Sequence, residues 1–130
     1  MKILVLGDIM GLSGRDVLKR KLPKIIKDNK IDFSIVNGEN AADDGKGITK
    51  KIVEDIFLLG IDVITSGNHI WDKKETIDLI EKENRLLRPA NLVNGSPGRG
   101  HKVYFSKDKR FKVGVINLMG NVFMRKTDDV

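Results

Sequence analysis

Residues 61–69 read IDVITSGNH, a short apolar run that stops at a glycine followed at once by polar, ligand-type residues. The same texture occurs at 2–8, KILVLGD, and at 31–40, IDFSIVNGEN. Runs of this length without strict alternation predict strands buried on both faces, over Lys2–Leu6, Ile31–Val36 and Ile61–Thr65. Helical spacing fills the intervals between them. From Gly14 to Asn29, Val17, Leu18, Leu22, Ile25 and Ile26 recur with helical period. Pro23, which lacks an N–H, is expected to kink that helix or restart it. Thr49 is placed to cap a second helix whose buried stripe is Ile52, Val53, Ile56, Phe57 and Leu59, with Gly60 at its left-handed end. Asp72 and Glu75 resemble a capping box for a third helix that runs to Glu83 and packs through Ile77 and Ile80.

Beyond Pro89 the texture changes to a glycine- and proline-bearing loop, 94–100. The runs Lys102–Phe105 and Phe111–Ile116 around a polar turn then predict a β-hairpin. Strands alternating with helices imply right-handed crossovers, so the fold class is α/β: a mostly parallel sheet with flanking helices and a C-terminal hairpin.

With 130 residues, a formal charge of +6, 40% hydrophobic and 32% charged residues, the chain has enough apolar material for one core. It contains no cysteine. Disulfides, iron–sulfur clusters and zinc thiolates are thereby excluded, and any metal must sit on O and N ligands. No apolar run approaches the length of a membrane span, so a soluble, cytoplasmic protein without a membrane partner is expected. Basic residues over Lys19–Lys30 are interleaved with acids and apolar residues at helical spacing, as on a solvated helix face.

Side chains placed just after three neighbouring parallel strands converge at one edge of a sheet. The convergent set is Asp8, Glu39, Asn40, Asn68 and His69. Hard oxygen ligands with one imidazole suit Mn, Fe, Mg or Zn. A carboxylate can bridge two cations, and two metals about 4 Å apart would polarise a phosphoryl group while an imidazole protonates the leaving oxygen. Glu39, between a buried strand and Asn40-Ala41-Ala42, is expected to be partly desolvated and to need a cationic partner. Taken singly, Asp8 also fits a turn or cap, Asn40 and Asn68 fit turns, and His69 fits a satisfied polar residue. His101, at the start of the hairpin, belongs to none of these clusters. The glycines at 7, 11 and 14 have the wrong spacing for a dinucleotide fingerprint, although Asp28 or Asp32 would stand where its acidic residue is required. Walker A and nucleophile-elbow patterns are absent.

Together Gly7-Asp8-Ile9, Gly14-Arg15-Asp16, Asn37-Gly38-Glu39-Asn40-Ala41-Ala42, Gly67-Asn68-His69, Trp71-Asp72-Lys73-Lys74-Glu75, Arg88-Pro89-Ala90-Asn91, Pro97-Gly98-Arg99-Gly100 and Val115-Ile116-Asn117-Leu118 closely resemble the bacterial YmdB-like metallophosphoesterases. The resemblance implies half of a four-layered, calcineurin-like sandwich, a dinuclear Fe or Mn centre, and phosphodiesterase activity that includes opening of 2′,3′-cyclic nucleotides. It also implies that Asp8, Glu39 and Asn40 bind the first metal, that Glu39 bridges, that Asn68 binds the second, and that His69 is the proton donor.

Members of that family are about twice as long, and their second half carries an Asp-x-His-Ala-Glu and a Gly-Thr-His-Thr-His segment that complete both metal shells. Neither segment occurs here, and Asn121 stands where the family usually has arginine. Residues 1–130 are therefore expected to form the N-terminal part of the domain, with a partial site and low metal affinity alone. The same shortfall predicts an uncovered apolar face or sheet edge that a homo-oligomer or a complementing C-terminal half would cover. The alternative is a non-catalytic basic α/β module that binds RNA, nucleotide or a protein partner.

Overall fold

The computed structural model describes residues 1–122. Its centre is a four-stranded parallel sheet in the order β1-β2-β3-β4, formed by Ile3–Asp8, Phe33–Asn37, Val63–Thr65 and Leu86–Leu87. Helices α1 (Gly11–Asn29), α2 (Lys50–Leu58) and α3 (Glu75–Lys82) make the crossovers, and β5 (His101–Phe105) pairs antiparallel with β6 (Lys112–Ile116) in a separate hairpin. This is the α/β class that the alternation predicts.

Two apolar clusters follow from the pleat. Val36, Ile64 and Leu86 face the helices and pack with Leu18, Leu22, Ile52, Val53, Ile56 and Ile80. Phe33, Val63 and Leu87 face the other way and are covered by Val113, Val115 and Tyr104 of the hairpin. β2 and β3 are thus buried on both faces, as expected. β1 is not, because it lies at the sheet edge with β2 as its one neighbour. Leu4 and Leu6 pack on the helix-side core, while Ile3 and Val5, the latter 68% exposed, stand on the hairpin side beyond its cover. The hairpin's own outer face, read from its register, carries Val103, Phe105 and Ile116, all more than half exposed.

Parts of the helix expectations are revised. α1 is one continuous helix that begins at Gly11 rather than Gly14 and carries Pro23 inside it, so the helix does not restart there. Pro23 is on its solvent side, where a carbonyl deprived of its N–H partner can turn to water. Val17 and Ile25 are exposed, and Leu18 and Leu22 make the buried contacts. The capping box does not form: Asp72 pairs with His69, and Glu75 Oε1 accepts from the Lys50 N–H at the start of α2. Ile77 is 40% exposed, so the buried side of α3 is Thr76 and Ile80, the Thr76 hydroxyl donating to the Ile48 carbonyl. α2 follows its sequence, since Thr49 Oγ1 accepts from the Ile52 N–H and Gly60 has φ +98°. β4 is two residues long, too short for any periodicity to announce. No helix among the described residues is long and apolar enough to cross a membrane.

Candidate functional site

Because β1, β2 and β3 run parallel and adjacent, their carboxyl ends deliver Asp8, Glu39-Asn40 and Asn68-His69 to one rim. The β1–β2 register slips between Leu6 and Asp8, so that Gly7 is the unpaired residue and Asp8 aligns with Asn37. Asn40 Nδ2 donates to Asp8 Oδ2 at 2.7 Å, which ties the first two strand ends together. Asn37, which the sequence reading did not single out, holds the turn: its Oδ1 accepts from the Glu39 N–H.

Glu39 is the unusual residue. Its Oε2 is buried without a hydrogen-bond partner among the described residues. Burial first, and the neighbouring Asp8 carboxylate second, push its pKa above the ordinary carboxylate value, against the opposing pull of the His69 ring and backbone N–H. The expected cationic partner is not supplied by any described side chain. Gly67 explains how the carboxylate reaches this place, for a Cβ there would lie 1.7 Å from Glu39 Oε2 and 2.6 Å from its Cδ. The third glycine-ended strand is therefore a cradle for the carboxylate delivered by the second.

Asn68–Trp71 form a turn of 3₁₀ helix after Gly67. His69 Nδ1 lies 2.7 Å from Asp72 Oδ2, with both side chains partly exposed. Asp72 has the spacing of a helix cap with Glu75, but it also stands three residues after His69, the spacing at which the two side chains meet. Gly47, with φ +77°, lets the 43–47 loop lie against this turn, where an added Cβ would be 3.1 Å from the His69 carbonyl. Below the rim, buried Asn117 donates through Nδ2 to the carbonyls of Ser66 and Leu87 and joins the end of β6 to the residue before Gly67. Asn91 likewise donates to the Met119 carbonyl and accepts from its N–H. His101 is exposed at the start of β5 and takes no part.

A carboxylate whose ionisation is disfavoured by burial and by the neighbouring Asp8, and whose Oε2 has no donor among the described residues, belongs to a donor set that a cation would satisfy. The set is partial. Among the described residues no group of three or more His, Cys, Asp or Glu has metal-holding geometry.

Residues 4–130 match the sequence pattern of the YmdB-like protein family. The chain belongs to that family. It is 46% identical over 129 residues to a 2′,3′-cyclic-nucleotide 2′-phosphodiesterase of Bacillus subtilis, covering 99% of this chain and 48% of that protein. It is 33% identical over 124 residues to a putative phosphatase/phosphodiesterase of Mycoplasma genitalium, covering 92% of this chain and 43% of that one. A solved Thermus thermophilus protein described as hypothetical superimposes with TM-score 0.90 at 35% identity, and a Mycoplasma pneumoniae structure described as a novel phosphatase with TM-score 0.87 at 31%. This YmdB-like chain spans about half the length of each of these relatives.

Proposed function

We propose that this YmdB-like chain contributes the N-terminal part of a metal-dependent phosphodiesterase site that opens 2′,3′-cyclic nucleotides or related phosphodiesters. The observation that carries the proposal is Glu39: a buried, partnerless carboxyl oxygen beside Asp8, at the meeting point of three parallel strand ends. Asp8, Glu39 and Asn40 would hold one Fe or Mn ion, with Glu39 shared, and Asn68 would hold the other. Bound there, the metals would supply Lewis acidity and an activated water. His69, its ring fixed by Asp72, is the residue to hand a proton to the oxygen that leaves the opened ring. Asn40, hydrogen-bonded to Asp8, keeps that carboxylate turned toward the second strand. Gly67 leaves room for Glu39.

Four protein ligands, one of them shared, are too few for two metal shells, so a complementing C-terminal half or another chain would provide the remainder. The outer apolar face formed by Val103, Phe105 and Ile116, with Val5 at the sheet edge, is the surface for such a partner. By this reading the 130 residues alone bind metal weakly and hydrolyse little.

The test is metal content and 2′,3′-cyclic AMP hydrolysis, measured with and without the C-terminal half of a relative added in trans. Gain of both on mixing, and loss of the gain with Glu39→Gln, is the expected result. Mixing that brings neither metal nor turnover would reject the proposal.

A further inference from the structure

The basic excess of this chain is not spread over its surface. Residues 11–30, which are α1 and its C-terminal cap, contain seven Lys and Arg against two Asp, a net +5 of the chain's +6. The other 110 residues are close to neutral, at +1. Lys19, Arg20, Lys21, Lys24, Lys27 and Lys30 are all exposed. Of these, Lys24 alone has a carboxylate partner among the described residues, its own Asp28 one turn on. Such an exposed pair is worth a few tenths of a kcal/mol and yields readily to another anion.

Helical phase puts Arg20, Lys24 and Lys27 within a sector of about 60°, diametrically opposite the buried Leu18 and Leu22, with axial steps of about 6 Å and 4.5 Å. Ser13 shares that arc and no apolar residue does; Asp16 and Val17 each lie about 20° outside its two edges, with Pro23 and Leu12 further round on the Asp16 side. A membrane-surface helix needs an apolar face free to enter lipid, and the apolar face of α1 is spent on the sheet. A charged ridge without an apolar face fits a phosphate polymer. The helix begins at Gly11, three residues beyond Asp8, so the ridge leads away from the candidate site.

We infer that the Arg20-Lys24-Lys27 ridge of α1 binds the backbone of single-stranded RNA, so that the substrate class is an RNA strand ending in a 2′,3′-cyclic phosphate. The choice of RNA rests on the phosphodiesterase reading: a 2′,3′-cyclic phosphodiester requires a 2′-hydroxyl and forms when that hydroxyl displaces the next nucleotide. The class of reaction that supplies the substrate is therefore RNA cleavage by internal transesterification.

The test uses the full chain in EDTA and the fluorescence anisotropy of a labelled 15-nucleotide RNA, prepared with either a 2′,3′-cyclic phosphate or a 3′-hydroxyl end. Both probes should bind within about threefold of each other, with an affinity that falls as salt rises. Arg20→Gln/Lys24→Gln/Lys27→Gln keeps good helix formers on the helix. It should weaken binding at least about 10-fold at 0.1 M salt and lower the log–log salt slope by about 2, as expected for three phosphate contacts on a single strand. A charge-matched control, Lys50→Gln/Lys51→Gln/Lys82→Gln, should stay within about twofold of the parent. Equal loss in both triple variants would overturn the inference, as would retention of affinity in the α1 variant or binding to phosphatidylserine vesicles in preference to RNA. If the α1 triple variant fails to fold by circular dichroism, the three single Gln variants decide, each expected to lower the slope by about 0.7. Asp8→Asn/Glu39→Gln should leave RNA binding in EDTA intact. Failure of metal binding or hydrolysis with the ridge intact would therefore count against the phosphodiesterase reading and not against the ridge.

Discussion

Replacing Gly67 by alanine is predicted to dismantle the candidate site while sparing the fold. The added Cβ would sit 1.7 Å from Glu39 Oε2 and 2.6 Å from Cδ, where ordinary contact is 3.4–4 Å. The carboxylate must therefore retreat by about 1.7 Å, several times the roughly 0.2 Å by which metal–ligand distances vary. Gly67 has φ −142°, so the substitution carries no left-handed backbone penalty. The clash is with the far end of a flexible side chain, which can swing toward water, so the stability change should stay within about 1 kcal/mol. Two measurements check this. Carboxyl ¹³C titration of the metal-free chain should show the raised pKa of Glu39 moving back toward the ordinary value as burial is relieved. Mn(II) titration followed by electron paramagnetic resonance, with a complementing half present, should show at least a 10-fold loss of affinity, since even outer-shell changes cost 10–100-fold. A folded Gly67→Ala chain with unaltered Glu39 titration and Mn(II) affinity within twofold of the parent would refute the cradle.

Glu39→Gln in the metal-free chain should raise stability at neutral pH. Since folding raises the pKa of Glu39, the parent loses stability as pH climbs from the unfolded value of about 4.5 through the folded one, and the variant does not. The advantage, relief from ionising a buried carboxylate, should vanish below pH 4.5 in urea melts at a series of pH values; a constant difference would argue against the burial account. Gly100→Ala meets backbone, its Cβ falling 2.2 Å from Ala90 Cα, and should destabilise by about 3 kcal/mol or prevent folding, as chemical denaturation would report. Asn117→Ala removes the amide that serves the Ser66 and Leu87 carbonyls and should cost about 1–3 kcal/mol in the same assay. Thr49→Ala deletes the hydroxyl acceptor at the start of α2, and a loss of about 1 kcal/mol in thermal melts is expected.

The chain announces its strands and its rim because both depend on local composition. An apolar run stopped by glycine and a ligand-type residue states where a parallel strand ends, and parallel neighbours then bring Asp8, Glu39 and Asn68 together without further information. What stayed hidden depends on distant packing. β1 reads like β2, yet one has two neighbours and the other has one, a distinction made by chain order. Asp72 and Glu75 have the spacing of a cap, but His69 and the start of α2 compete for them and win. Gly67 as a cradle could not be read at all, since the group it accommodates lies 28 positions earlier.

The spacing of the sheet partners also bears on how the protein is made. Ile3 pairs with Phe33, and Ile35 with Val63, so each rung waits for about 30 further residues. At 5–20 residues per second, the first strand emerges from the ribosome roughly 1.5–6 s before its neighbour does. During that interval Ile-Leu-Val-Leu is an unsheltered sticky segment, and a cell starved of chaperones should lose yield of the folded chain there.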